Sequence, residues 1–435
     1  MRIKIRDKKQ FMNLFNNTYT GHQINNINAL SIDSRNLKKN DIFFALKGEK
    51  YDGNSFINQI IKNEDVICFT NKKINHPKVI YCNSVKKEII KIALLWRKNT
   101  KSKIIAITGS NGKTTLKELL YNILKEKYQC SKSIGNFNSS IGLPMTFLGS
   151  KLNDDYCILE LGANQPNEIK NLCKIIRPHF GIITNISNAH IGNFESINQL
   201  IKTKASIFKN NEKSFINLND KYTATISVKF PITFGNLKKA DFYAKLSTNK
   251  KKSISINNKK FHIPDNLFHL KDIFITAFSI TQYFGISSTK FQKEIKKFKI
   301  PLGRGRIIKF NKSYIIDDSY NANPESMKFG LNRFSKMKIN NNKIIVIGDM
   351  LELGDSDISE HKKIGQIINK YKFNTIFTYG NLMKKAFDEI NRNKFQKFHY
   401  TDIKKLKKQI QSIIKPGDYI FLKGSRSMNL EEIYN

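Results

Sequence analysis

One stretch constrains this chain more than any other: Thr108-Gly109-Ser110-Asn111-Gly112-Lys113-Thr114-Thr115. It follows a short apolar run, 103–108, suited to a buried strand. It precedes an amphipathic stretch, 114–127, suited to a helix. A glycine-rich turn between strand and helix aims successive backbone N–H groups at one point, and the helix N-terminus adds partial positive charge. Such a turn cradles phosphate. Lys113 can balance charge on β- and γ-phosphates, and the Thr114 hydroxyl can ligate magnesium. The common G-x-x-x-x-G-K-[ST] spacing is absent, because position 107 is Ile and the first glycine is Gly109. The expectation is an ATP site built from Gly109 to Thr115.

At 435 residues the chain is too long for one core, and its pattern separates into three regions. Residues 1–100 read as a small α/β domain, closed by a helix through 89–97 and a polar linker at 98–102. Residues 101–304 hold the phosphate loop and further buried-strand candidates at 156–161 and 181–186. Strands alternating with helices there predict a mostly parallel sheet. Residues 305–435 carry strand candidates at 314–317, 344–347, 375–379 and 419–422, the pattern of a second, Rossmann-like doubly wound sheet. The predicted fold class is therefore α/β throughout.

Composition narrows the setting. No run of about 18 apolar residues exists, so no membrane span is expected. The opening residues do not read as a signal peptide. Five scattered cysteines without close pairing suggest reduced thiols in a cytoplasmic protein. The formal charge of +40 raises nucleic-acid binding. The lysines are spread evenly instead of forming an aromatic-interleaved strip, and Lys, Asn and Ile dominate everywhere, so compositional drift is the preferred reading.

From the phosphate loop outward the chain resembles the Mur ligases over almost its full length. The short T-G-x-N-G-K-T form is shared with them and with folylpolyglutamate synthetases. Asn136-Phe137-Asn138 resembles their central loop for a nucleotide-linked precursor, and Leu159-Glu160-Leu161-Gly162 their magnesium-binding strand end. Asn188-Ala189-His190 resembles the segment whose histidine helps hold a second magnesium, and Lys204-Ala205-Ser206 the one whose lysine is carbamylated. Ile32-Asp33-Ser34-Arg35 and Leu46-Lys47-Gly48-Glu49 resemble the uridine-nucleotide site. Asp317-Asp318-Ser319-Tyr320-Asn321-Ala322-Asn323-Pro324, Gly348-Asp349-Met350-Leu351-Glu352 and Lys423-Gly424-Ser425-Arg426 look like the member that adds D-alanyl-D-alanine.

The resemblance implies a two-step ligation. A carboxylate of UDP-N-acetylmuramoyl-tripeptide attacks ATP, and the amine of D-Ala-D-Ala then displaces phosphate. It implies catalytic roles for Lys113, His190 and Lys204 and metal ligands at Thr114, Glu160, His190 and carbamylated Lys204, with two magnesium ions. Arg304 and Asp318 would contact the nucleotide. Ser34, Arg35, Lys47, Asn136, Asn138, Ser425 and Arg426 would contact the other substrates. Asp317 or Asp318 serves only as a turn cap, Asn321 and Asn323 either bind or shape their loop, and His361 is read as structural. A monomer binding no nucleic acid, with no stable membrane association, is expected. Four departures stand out: Ser139 and Ser140 stand where Asn and Glu are usual, Ser206 replaces a usual glutamate, Asn167 a usual glycine, and Leu270 interrupts the usual H-N-x-x-N pattern after His269. The alternatives are another amide ligase of the superfamily, which an amine-substrate panel separates, and a basic nucleic-acid-binding NTPase, whose turnover should rise with DNA or RNA.

Overall fold

The computed structural model describes residues 1–48, 51–63, 65–187, 191–248 and 252–435. Three sheets follow one another along it. In the first, Arg2–Lys4 runs antiparallel to Ala29–Ser31, and Asp41–Phe44, Ile67–Thr70 and Val79–Tyr81 then add in parallel. The helix Val85–Asn99 leads out, its N-terminus capped by the Ser84 side chain, which accepts from the Lys87 N–H.

The polar linker expected at 98–102 is not a free tether. Thr100 and Ser102 are buried, and the Lys101 N–H donates to Leu152 O at 2.9 Å. Fully buried Trp96 packs on Phe11 and donates to Ser150 Oγ at 3.4 Å. One continuous apolar cluster runs from Ile3 and Phe11 through Trp96 to Leu143 and Ile183. The first and second sheets therefore share a core, which sequence polarity at the junction concealed.

The second sheet has nine strands. Seven are parallel, in the order Cys130–Lys132, Tyr156–Glu160, Lys103–Thr108, Phe180–Ile183, Lys213–Asn217, Pro231–Gly235 and Phe242–Ser247. An antiparallel hairpin, Ser253–Ile256 and Lys259–His262, completes the edge. The strand expected at 181–186 ends at Ile183, because Thr184 and Asn185 turn to bond the phosphate loop. Lys103–Thr108 lies between strands on either side, so its carboxyl end opens at a topological switch point.

The third sheet runs Arg306–Phe310, Ser313–Asp317, Tyr419–Lys423, Lys343–Gly348, Thr375–Tyr379 and Gln396–Tyr400. Only the first pair is antiparallel. The four inner strands match the apolar runs read from sequence. The two edge strands, carrying charged or polar residues, did not register as strands.

Candidate active site

The phosphate loop takes the conformation its glycines allow. Gly109 has φ 142°, and a Cβ there would lie 2.0 Å from Thr184 Oγ1. Gly112, at φ 81°, caps the helix Lys113–Leu124. Ser110 and Asn111 are tied down by Asn185, whose backbone O and side-chain Oδ1 accept from their N–H groups. The Lys113 ammonium folds back across the loop, donating to Gly109 O at 2.7 Å and Ser110 O at 3.3 Å. Burial draws its pKa down to about 8, against the pull of Glu160 and with a push from Arg304.

Glu160 ends the strand beside the loop and is 1% exposed. Its carboxylate accepts from the Thr114 hydroxyl at 2.9 Å and from Asn138 Nδ2 at 2.9 Å. Lys117 Nζ stands 3.7 Å away. Lys117 lies four residues after Lys113 and so on the same helix face, a spacing that alone does not set it apart from a solvated lysine.

Lys204, near the end of the helix Ile197–Ala205, is 2% exposed. Among the described residues its amine has no hydrogen-bond or ion-pair partner. Burial, with help from the charge of Lys113, brings its pKa down to about 7. His190 and Glu49 lie outside the described residues.

The third sheet supplies the facing wall. Arg304 Nη2 donates to Thr114 Oγ1 at 3.1 Å, and its guanidinium stacks 3.5 Å from the Tyr320 ring centroid. Asp317 and Asp318 divide their roles. Asp317 is buried and accepts from the Gly303 N–H, the Ser319 N–H and the Tyr434 hydroxyl, so it is structural. Asp318 faces the cavity, paired with Lys423 at 2.7 Å. Asn323 caps the helix Pro324–Lys336 and also donates to Asn111 Oδ1 at 3.2 Å, linking the third sheet to the phosphate loop. Ser425 Oγ accepts from the Leu351 N–H at 2.8 Å, and Arg426 pairs with Glu431. His361 is fully buried; its Nε2 accepts from the Met350 N–H at 3.0 Å and its Nδ1 lies 2.6 Å from Asp357 O, a structural role.

These groups line one cavity of about 920 Å³. Ser110, Asn111, Gly112, Lys113, Thr115, Asn136, Asn138, Glu160, Lys204, Arg304, Asp318, Ser425 and Arg426 all border it. Gly109 and Thr114 lie just behind, Thr114 covered by Glu160 and Arg304. Ser34, Arg35 and Lys47 do not border it. Arg35 is largely exposed and pairs with Asp33 at 2.9 Å, while Lys47 and Asp52 face each other in an isolated antiparallel backbone bridge.

The oxygens of Thr114 and Glu160 meet at one point and are hard ligands that suit magnesium. Lys204 as an ammonium would repel such an ion. As a carbamate it would supply an anionic oxygen and give its buried head a partner, so the donor set fits.

Three family models cover most of the chain: the Mur ligase family catalytic domain over 26–101, the Mur ligase middle domain over 107–275, and the Mur ligase glutamate ligase domain over 303–426. The chain belongs to the Mur ligase family. It is 32% identical over 427 residues to the UDP-N-acetylmuramoyl-tripeptide–D-alanyl-D-alanine ligase of Rickettsia prowazekii, covering 94% of each chain. It superposes on MurF of Acinetobacter baumannii with a TM-score of 0.83 at 26% identity, covering 99% of this chain and 98% of the other. It shares its fold with MurF of Thermotoga maritima in complex with ADP, with a TM-score of 0.78 at 24% identity over 93% of this chain and 95% of that one.

The segment 269–273, where Leu270 follows His269, lies against the same cavity. His269 Nε2 is buried without a partner among the described residues and borders the cavity. Burial, then the charge of Arg333, holds the imidazole neutral, with a pKa of about 3. Leu270 and Ile273 border the cavity beside it, and Ile273 Cδ1 reaches 2.7 Å from where a Cβ on Gly112 would stand. The Ser206 hydroxyl donates to Lys202 O at 3.1 Å.

Proposed function

We propose that this chain is an ATP-dependent amide ligase that adds D-alanyl-D-alanine to UDP-N-acetylmuramoyl-tripeptide through an acyl phosphate, giving the pentapeptide precursor of peptidoglycan. The observation that carries this reading is the single cavity joining the phosphate loop and Glu160 to Asn136 and Asn138 and to Asp318, Ser425 and Arg426. The relatives named for this reaction match along almost the whole chain.

Each residue's role follows from charge. Carboxylate and triphosphate repel at the moment of attack, so the site must hold them in line and neutralise them. Lys113 leaves its loop carbonyls and bonds the phosphates, keeping the geometry of the loop while exchanging acceptors. Thr114 and Glu160 would hold a first magnesium ion, and His190 with a carbamate on Lys204 a second; bound there, the ions would supply charge neutralisation for the phosphates. The free amine that CO₂ requires is available on Lys204 because burial disfavours its charged form. Asp318 accepts from the ribose, and Arg304, released from Thr114, reaches the phosphates. Ser425 and the forked guanidinium of Arg426 hold the dipeptide carboxylate. Ser34, Arg35 and Lys47 bind the uridine nucleotide on the first domain. The enzyme acts as a cytoplasmic monomer, its third domain closing over the nucleotide.

The test is phosphate release from ATP and magnesium with UDP-N-acetylmuramoyl-tripeptide, with and without D-Ala-D-Ala, and mass detection of product. Dipeptide-dependent release with a UDP-linked pentapeptide supports the assignment. Release only with diaminopimelate, lysine or glutamate and the matching acceptor keeps the chemistry and overturns the substrates.

A further inference from the structure

Lys117 has no part in the reaction as derived above, yet it is the most enclosed charge beside the site. Its side chain is 0% exposed. It lies one turn along the helix from Lys113, about 5.4 Å deeper. The ammonium donates to Gly135 O at 2.7 Å and stands 3.7 Å from Glu160 Oε2 and 3.5 Å from Glu118 Oε1. A fully buried lysine is tolerated only where its donors and charge are matched. Here the matching groups come from three places: its own helix, the strand end at Glu160, and the loop that follows Cys130–Lys132.

That loop is built to be held. Gly135 takes φ 52°, the left-handed region, which turns its carbonyl inward to Lys117. Three residues on, Asn138 donates to the other oxygen of Glu160, and Asn138 O accepts from the Gly162 N–H at 2.9 Å. Glu160 therefore grips the loop at Asn138 directly and at Gly135 through Lys117. Asn136 lies between the two anchors and borders the cavity.

We infer that Lys117 is a positioning residue that fixes the Gly135–Asn138 loop against Glu160 and so sets the affinity for the UDP-linked precursor. This rests on the reading of Asn136 and Asn138 as precursor contacts. Lys117 touches no substrate; it acts through the loop backbone, leaving Lys113 free to serve the nucleotide from the same helix.

The test is a double-mutant cycle on the full chain, Lys117→Met and Gly135→Ala, read as KM for UDP-N-acetylmuramoyl-tripeptide, KM for D-Ala-D-Ala and affinity for an unreactive ATP analogue. Lys117→Met should raise the precursor KM about tenfold and move analogue affinity less than about twofold. Gly135→Ala keeps the carbonyl but strains the left-handed backbone that presents it; it should give the same split, and the double variant should be no worse than the poorer single one, because both loosen one anchor. Additive losses, an unmoved precursor KM, or equal losses for precursor and nucleotide overturn the role. Lys117→Gln, which keeps a polar group in the buried position, is read by the same split if the methionine variant does not fold. If the unaltered enzyme turns over no precursor, the functional reading has failed; normal turnover with an unmoved variant KM overturns Lys117 alone.

Discussion

Replacing Lys204 with methionine should make the protein more stable and inactive. The lysine is 2% exposed and without a partner among the described residues, so the folded state carries the cost of desolvating an amine. An unfolded lysine titrates near 10.5, and burial lowers this one to about 7. The unfolded chain therefore binds more protons between those values, so stability rises with pH across that window and falls as pH drops toward 7. At about 1.36 kcal/mol per pKa unit, the penalty is roughly 4 kcal/mol at pH 7 and roughly 2 kcal/mol at pH 9. Methionine has similar volume and no charge, so it removes the penalty without opening a cavity. Burial is the larger cause of that penalty and the charge of Lys113 the smaller.

The assay is urea unfolding in CO₂-free buffer at pH 7 and pH 9, followed by fluorescence of Trp96. It is the only tryptophan and sits in the core shared by the first two sheets. Lys204→Met should shift the midpoint upward at pH 7, by about half as much at pH 9, and should lose ligation. A variant less stable than its parent at pH 7, or a gain that grows with pH, would refute the argument that Lys204 is held at a cost for use as a carbamate. Adding bicarbonate should raise the parent's activity and leave the variant's unchanged.

Four further outcomes follow from the same geometry. Lys113→Met should lower kcat for phosphate release by about 10²- to 10³-fold, measured against a parent at saturating ATP, since it removes a preorganised cation aimed at the phosphates. Glu160→Gln should leave buried Lys117 with Glu118 alone as its carboxylate and lower stability by about 1–3 kcal/mol in urea titrations, besides raising the magnesium needed for half-maximal rate. His361→Ala should cost about 1–3 kcal/mol by orphaning the Met350 N–H, with KM for each substrate unmoved. Gly192→Ala would drive a Cβ to 2.6 Å from the Gly354 backbone, so scattering with an ATP analogue and precursor should show a less compact particle than the parent.

Legibility in the sequence tracked how local the physical cause was. The phosphate loop was readable because its glycines, lysine and threonines are adjacent, although Thr184 and Asn185, which tie it down, are distant in sequence. The inner strands of the third sheet were readable because burial on both faces demands continuous apolar runs, such as Ile344 to Ile347. Edge strands escaped because one side meets solvent, as in Arg306–Phe310, where exposed and half-buried positions alternate. The edge strand Lys259–His262 escaped for the same reason; its neighbour Ser253–Ile256 is largely buried, but Ser alternates with Ile there, so no continuous apolar run marks it. Lys117 escaped for another: a lysine on a helix is ordinarily solvated, and only tertiary packing reveals that this one is sealed between a strand end and a loop.

The charge of the chain belongs to this contrast. The described residues lining the cavity include six Lys or Arg and six Asp or Glu, while the whole chain carries +40. The excess is thus a property of the surface. In the proposed reaction the site must hold a triphosphate, a carboxylate and metal ions, which needs both signs at fixed points: Lys113 would face phosphate, Glu160 the cation and Asp318 hydroxyls. Excess lysine elsewhere raises the local concentration of anionic substrates and is screened by salt within about 8 Å at physiological ionic strength. It follows that added salt should slow capture of the nucleotide and precursor, seen in kcat/KM, while kcat, which reports the balanced cavity, stays nearly constant.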